Sequence, residues 1–228
     1  MCCLTSFLRL LAFALLLSSS AVHAAAYDDL LSAIKLGDKG AVESLLARGM
    51  DVNTSDANGN TLMMIAAREG REELVALLIR QRAKINARNR NGDSALSLAA
   101  YEGRLPVVRL LAESGADLET PGWTPLIYAA FNGHLPVAQY LLAQGANLDA
   151  VADNGMTPLI TAARGGFLDI VKILIAAGAE VDFKTEQGET ALDWALKTHN
   201  TDVADYLKAH GAKSGKTLIL ESKNQRQP

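Results

Sequence analysis

The chain has 228 residues, a formal net charge of −3 and 49% apolar residues, a composition typical of one soluble body with a substantial core. A charge so close to neutral argues against a general nucleic-acid binder, which needs an excess of basic side chains to neutralise phosphates. Only 5% of the residues are aromatic, and alanine is frequent, which favours closely packed helices over a sheet.

The first 24 residues have the pattern of an export signal. Arg9 supplies a positive charge, an unbroken apolar run extends from Leu10 to Leu17, and Val22-His23-Ala24 places small residues at a peptidase site. The alternative is a membrane anchor, but the run is far shorter than the ~18–20 apolar residues of a span. We therefore expect cleavage near residue 24, no membrane insertion afterwards, and export, to the periplasm if the source is bacterial.

Both cysteines, Cys2 and Cys3, lie inside this segment. A chain cleaved near residue 24 would contain no cysteine, so it would need no disulfide in an oxidising compartment and could form no wrong one.

Residues 25–213 contain a repeated pattern of two short helices. Each unit opens with a threonine or serine that can cap a helix, and an alanine pair follows five residues later in the first four cases. The starts are Thr61, Ser94, Thr124, Thr157 and Thr190, at intervals of 33, 30, 33 and 33 residues. A fixed period with two helices per unit predicts a stacked solenoid.

The repeated unit resembles the ankyrin repeat. Thr124-Pro125-Leu126-Ile127 varies the start of that repeat, Gly133-His134-Leu135 matches its centre, and Gly145-Ala146-Asn147-Leu148-Asp149 varies its end. The resemblance covers roughly residues 28–211 and implies an all-α solenoid of about six helix-turn-helix units joined by short loops, called fingers. The family's histidine at the fourth position of the unit is replaced throughout, by Met64, Ser97, Ile127, Ile160 and Asp193.

Both ends of the array have polar faces, as terminal units of a solenoid require. The first unit covers Asp28 to Ala47, and the last covers Thr190 to His210. Residues 214–228 are predicted to be a C-terminal tail that is partly disordered from Glu221 onward, in which Thr217 to Leu220 could fold back on the last unit.

Catalytic groups have little support in the sequence. The resemblance implies a structural role for His134, and the aspartates that recur at the base of the fingers, such as Asp51, Asp117 and Asp182, are expected to be architectural. No Cys/His cluster has metal-ligand spacing, and no glycine loop is suited to phosphate. We therefore predict a protein that is not an enzyme and has no metal or cofactor.

The resemblance implies a concave face made by the finger tips and by the residues after each alanine pair. Four large apolar side chains are expected to face solvent in the middle of it, which fits the composition of a protein interface. They are Tyr101, Trp123, Phe131 and Met156. The alternative is ordinary packing against neighbouring fingers. Tyr128 and Trp194, at the fifth position of their units, are expected to pack inside.

Two further features lie near this face. The 30-residue interval places a three-residue deletion in the finger before Thr124, which would leave a notch floored by Pro121 and Trp123, through function or through drift. The loop from Arg80 to Arg90 is basic among acidic fingers, and this pattern would orient a partner of inverse charge, unless it is only a solvated edge. The predicted binding cations are Arg68, Arg88, Arg90 and Arg164.

The sequence therefore predicts a monomeric, exported interaction module that binds a folded client protein through its concave face. An inhibitor or immunity protein that blocks an exported enzyme or toxin would use the same surface. The third possibility is an enzyme that uses His199 with Asp202 or Asp193.

Overall fold

The computed structural model describes residues 27–215, which form six consecutive helix pairs. Within these residues there is no strand, only a single bridge between Ser55 and Thr61. The predicted signal segment 1–24 and the tail beyond residue 215 lie outside the described residues.

The helices form two layers. The inner layer consists of α1 (27–36), α3 (Leu62–Arg68), α5 (Ala95–Tyr101), α7 (Pro125–Phe131), α9 (Pro158–Gly165) and α11 (Ala191–Lys197). The outer layer consists of α2 (Lys39–Ala47), α4 (Glu72–Arg80), α6 (Leu105–Glu113), α8 (Leu135–Ala143), α10 (Leu168–Ala176) and α12 (Thr201–Ala209). From α3 to α12, each helix contacts the next helix of its own layer and its partner within the pair. The predicted all-α solenoid of six units is confirmed.

Each inner helix from α3 onward begins at the predicted threonine or serine, whose hydroxyl accepts a hydrogen bond from the backbone N–H three residues later. Three of the residues that replace the family's histidine return the bond: Met64 Sδ, Ser97 and Asp193 accept from the backbone N–H of Thr61, Ser94 and Thr190, at 3.4, 2.8 and 2.9 Å. The helix-start network is therefore kept in these units with different chemistry.

The alanine pairs lie where neighbouring inner helices meet. Ala66-Ala67, Ala99-Ala100, Ala129-Ala130 and Ala162-Ala163 are all 0% exposed. Only methyl groups separate the helices at these positions, so larger side chains would push the units apart.

The residue before each outer helix ties its unit to the preceding one. Arg71, Arg104, His134 and Asn200 contact the carbonyl oxygens of Lys35, Arg68, Tyr101 and Arg164, at 2.8, 3.2, 2.9 and 3.0 Å. These carbonyls lie at the ends of inner helices, where they have no partner inside the helix. His134 therefore has the structural role expected of it. Phe167 occupies the same position and has no polar group to offer.

A second series of hydrogen bonds links each finger to the next. In every case a side-chain oxygen accepts from a backbone N–H of the following finger or, for the last, of the C-terminal stretch. The pairs are Asn53 with Lys84, Asn86 with Asp117, Glu119 with Asn147, Asp149 with Glu180, and Asp182 with Lys213, at 2.8, 3.0, 2.7, 2.9 and 2.8 Å. Asp182 is thus architectural as expected, and Asp51 accepts from the backbone N–H of Asn53 within its own finger, whereas Asp117 takes part only through its backbone N–H.

The described chain ends against the last unit. Ser214 donates its hydroxyl proton to Asp193 Oδ1, and the backbone N–H of Gly215 donates to Oδ2 at 2.8 Å. Although we assigned Ser214 and Gly215 to the tail, both contact the repeat array. The predicted fold-back of Thr217 to Leu220 lies outside the described residues.

Candidate protein-binding surface

Four aromatic rings meet along α7, and we call Tyr101, Trp123, Tyr128 and Phe131 the aromatic cluster. Trp123 lies just before the helix, Tyr128 in its middle and Phe131 at its end. The ring of Trp123 lies 5.2 Å from that of Tyr128 and 5.4 Å from that of Phe131, and Tyr101 of the preceding unit lies 5.5 Å from Tyr128. Two of these contacts are edge-to-face, a preferred geometry that holds rings in place.

The outer members of the cluster face solvent. Tyr101 is 39% exposed and Phe131 is 37% exposed, whereas Trp123 is half-buried. Trp123 packs against a small buried cluster of Ile127, Ala150 and Ala152. Three of the four side chains that we expected to meet on this face are therefore together and accessible.

Tyr128 is the member that sequence reasoning missed as a component of this surface. It is partly buried, as expected, but its ring contacts those of both Tyr101 and Trp123. Its hydroxyl donates a 2.6 Å hydrogen bond to Asp93 Oδ1. Burial first, and then this hydrogen bond and the charge of Asp93, raise the pKa of Tyr128 well above its ordinary value.

Asp93 is 8% exposed and belongs to a small polar network at the end of the second finger. The Asn89 side-chain amide donates both to Asp93 Oδ2 at 3.1 Å and to Asn60 at 2.8 Å. This network fixes the acceptor for Tyr128 and thereby the ring that lies between Tyr101 and Trp123.

The prediction for Met156 was wrong. We expected it to face solvent on the concave surface, but it is only 4% exposed. Its carbonyl oxygen accepts a 2.9 Å hydrogen bond from the Ala152 backbone N–H, which closes a turn at the base of the fourth finger. The same backbone bond closes the first, second and fifth fingers, at Asn60, Asp93 and Glu189, and none of these three residues is exposed.

The third finger has no room for this turn. Residues 114–124 between α6 and α7 number eleven, against fourteen in residues 81–94 between α4 and α5. The Thr120 hydroxyl instead donates to the Trp123 carbonyl oxygen at 2.9 Å. The deletion therefore lies where the sequence placed it, Pro121 is exposed beside it, and Trp123 stays accessible where Met156 does not.

The four predicted cations have different partners. Arg68 Nε lies 3.5 Å from Glu69 Oε1, and Arg164 lies over the Trp194 ring at 5.2 Å. Arg88 and Arg90 are exposed and form no ion pair with a described residue. Lys197, at the position of the last unit that corresponds to Arg164, lies 4.5 Å from the Trp194 ring centre and 3.6 Å from Glu189 Oε1.

The last unit does not assemble the proposed catalytic groups. His199 is exposed in a turn, and within residues 27–215 it forms neither a hydrogen bond nor an ion pair with Asp193 or Asp202. The Asp193 carboxylate is held by Ser214, Thr190 and Gly215 instead. Among the described residues, no group of three or more His, Cys, Asp or Glu side chains could hold a metal ion.

A family model described as ankyrin repeats (3 copies) matches residues 23–121, 88–152 and 126–217. The matches together span residues 23–217, far more than half of the chain. The chain belongs to the ankyrin-repeat family. No curated protein matches the sequence of this ankyrin-repeat protein. No helix of the described part of the chain has both the length and the apolar character needed to cross a membrane.

Ankyrin repeats mediate protein–protein binding and are typically not enzymes, so the repeat domain is a protein-interaction module. The aromatic cluster is the largest group of accessible aromatic side chains within the described residues.

Proposed function

We propose that this ankyrin-repeat protein is exported and binds a folded client protein through the aromatic cluster. The observation that carries the proposal is the exposure of Tyr101 and Phe131 on neighbouring inner helices, with Trp123 between them. Large aromatic side chains that remain in contact with water on a monomer's surface are typical of the anchors of protein interfaces.

The rigidity of the surface supports the same function. Tyr101 and Phe131 are the last residues of α5 and α7, and the Asn132 side chain donates to the Tyr101 carbonyl oxygen at 2.7 Å. The hydrogen bond from Tyr128 to Asp93 fixes the ring beneath them. A surface that is already ordered loses little conformational entropy when a partner binds, so more of the contact energy is available for affinity.

The location in the cell envelope is proposed from the first 24 residues alone. Their basic, apolar and small-residue regions occur in the order of a secretory signal. The test is the mass of the protein purified from cells. A chain that begins near residue 25 supports export, and a chain that retains Met1 in a soluble intracellular fraction contradicts it.

Affinity capture from the envelope fraction, followed by mass spectrometry, tests client binding. The full chain is compared with a variant that carries Tyr101→Ala, Trp123→Ala and Phe131→Ala. We expect the variant to lose the client while circular dichroism shows unchanged helicity. Capture that is equally strong with the variant would refute the site.

Leu36→Ala combined with Leu196→Ala is the matched control, because these side chains are 77% and 47% exposed and belong to other parts of the stack. The control should retain the client. Activity of the client in the purified complex then separates a supporting role, in which activity is kept, from the inhibitor or immunity role, in which it is lost.

A further inference from the structure

The aromatic cluster has arginines on both sides of it along the stack. On one side, the second finger carries Arg88 and Arg90, and Asp93 at the end of the same finger bonds to Tyr128 of the cluster. On the other side, Arg164 lies at the end of α9, which packs directly against α7. The stack thus has the order arginine, aromatic rings, arginine.

These arginines have no carboxylate partner within residues 27–215. None of Arg88, Arg90 and Arg164 forms an ion pair there, whereas two other cations near this face, Arg68 and Lys197, are paired with Glu69 and Glu189. An exposed arginine without a counter-charge can pair with a partner's carboxylate, through the planar fork that suits it.

Acids near the cluster restrict where a partner's carboxylates can lie. Glu102 follows Tyr101 at the end of α5, and Asp153 of the fourth finger lies against Gly122 beside Trp123. These groups repel an acidic side chain placed at the centre of the cluster but not one placed at the arginines. The charge pattern therefore admits an apolar side chain in the middle and acids at the flanks.

The distances between the aromatic cluster and the arginines on either side of it follow from the repeat geometry. Packed helices lie ~10 Å apart, so the backbones of Phe131 on α7 and Arg164 on α9 are separated by about that distance, and the Arg164 guanidinium extends beyond it to the Trp194 ring of α11. The backbone of Arg90 is three residues before that of Asp93, at most ~10 Å from it, and the Arg90 side chain passes beside Gly59 of the first finger. An extended chain covers ~10 Å in about three residues.

We infer that the aromatic cluster receives an acidic segment of the client, in which an apolar side chain lies between carboxylates about three residues away on each side. The inference rests on the proposed function and specifies the chemistry of the partner. The apolar side chain contacts Tyr101, Trp123 and Phe131. One flanking carboxylate binds Arg88 or Arg90, and the other binds Arg164.

Synthetic peptides test the inference directly with the full chain. The first carries a leucine between glutamates placed three residues away on each side, the second has lysines in place of the glutamates, and the third has glycine in place of the leucine. Binding of the fluorescein-labelled peptides is measured by anisotropy at low and at physiological ionic strength. We expect the first to bind at least tenfold more tightly than the other two, and its affinity to fall as salt screens the charges.

Charge reversal provides the matched comparison. Arg90→Glu with Arg164→Glu should weaken the first peptide at least tenfold and strengthen the second. Arg48→Glu, which changes an exposed arginine just after the outer helix α2 of the first unit, should leave both affinities unchanged. Equal affinity for acidic and basic peptides, no response to charge reversal, or no binding of any peptide would each overturn the inference.

Client capture separates this inference from the function on which it rests. One outcome is that the charge-reversed protein captures the client as well as the natural one does while the triple alanine variant loses it. In that case the aromatic site is supported, and the inference that it receives an acidic segment is wrong. If the triple alanine variant also retains the client, the proposed function itself has failed.

Discussion

The hydroxyl of Tyr128 donates a 2.6 Å hydrogen bond to the carboxylate of Asp93, which lies 35 residues earlier in the chain. The bond joins the end of the second finger to the middle of α7 and places a ring between Tyr101 and Trp123. The most exposed part of the proposed interface is thus supported by a buried acid.

Tyr128→Phe should lower the free energy of unfolding by about 1–3 kcal/mol, because Asp93 remains buried and loses a donor. The pKa of Tyr128 is raised in the folded state, so the bond stabilises the fold fully below the unfolded pKa of about 10 and is lost as pH rises above it. Urea unfolding at neutral and at strongly alkaline pH should show the difference between the two proteins shrinking. Tyr140→Phe is the control, since its hydroxyl bonds to no described residue.

Two glycine substitutions separate backbone strain from crowding. Gly103 and Gly115 both have positive φ, at 69° and 89°. A Cβ on Gly103 would lie 2.6 Å from His134 Nδ1, whereas a Cβ on Gly115 meets nothing within 4 Å.

Gly115→Ala should therefore cost about 1–2 kcal/mol of stability, the strain of the left-handed conformation alone. Gly103→Ala should cost about 1–3 kcal/mol more, because His134 must move away from the Tyr101 carbonyl oxygen. Thermal or urea unfolding measures both, and equal losses would show that the contact with His134 has no weight.

Ala130→Leu tests the seam between inner helices. Ala130 is 0% exposed, so the added carbons have no space and should destabilise the protein by about 1–3 kcal/mol. Ala143→Leu makes the same change at the exposed end of α8 and should be nearly neutral. An Ala130→Leu variant with unchanged stability would mean that the inner helices pack less closely than the structure shows.

The stability that the hydrogen bonds to Asp193 contribute should depend on pH. Burial alone would raise the pKa of Asp193, but hydrogen bonds from Ser214, Thr190 and Gly215 outweigh it and leave the pKa below its ordinary value. The ionised carboxylate therefore stabilises the fold above the unfolded pKa near 4, and this contribution is lost as pH falls through the lower folded value.

Asp193→Asn should accordingly cost about 1 kcal/mol at neutral pH, and the cost should disappear in strong acid. Urea unfolding from pH 7 down to about 2 follows the difference between the two proteins. Asp117→Asn serves as the control, because its side chain accepts no hydrogen bond from a described residue. A cost that stayed constant with pH would contradict the role of the charge.

The fold was predictable because its signals are local and repeated. A capping residue such as Thr157, an alanine pair and a fixed period each indicate the same helix pair, and five recurrences exclude coincidence. The third finger's deletion was predictable for the same reason, since an interrupted period shows where residues are missing.

The site was only partly predictable, because exposure depends on contacts that the period does not encode. Trp123 and Met156 have the same register, yet the turn at Ala152 buries one and the short finger leaves the other accessible. Tyr128 follows the rule that the fifth position packs inside, and no signal within its own unit indicates Asp93 as its partner. That pairing depends on how two units stack.

The hydrogen bonds between fingers have a practical consequence for changing what the protein recognises. Since Asn53, Asn86 and Asp149 hold the neighbouring loops through main-chain groups, residues at the tips such as Arg88 and Val151 can vary without altering loop geometry. The loop backbone and the side chains at its tips are thus separable, so a new binding specificity can be introduced one finger at a time without changing the repeat scaffold.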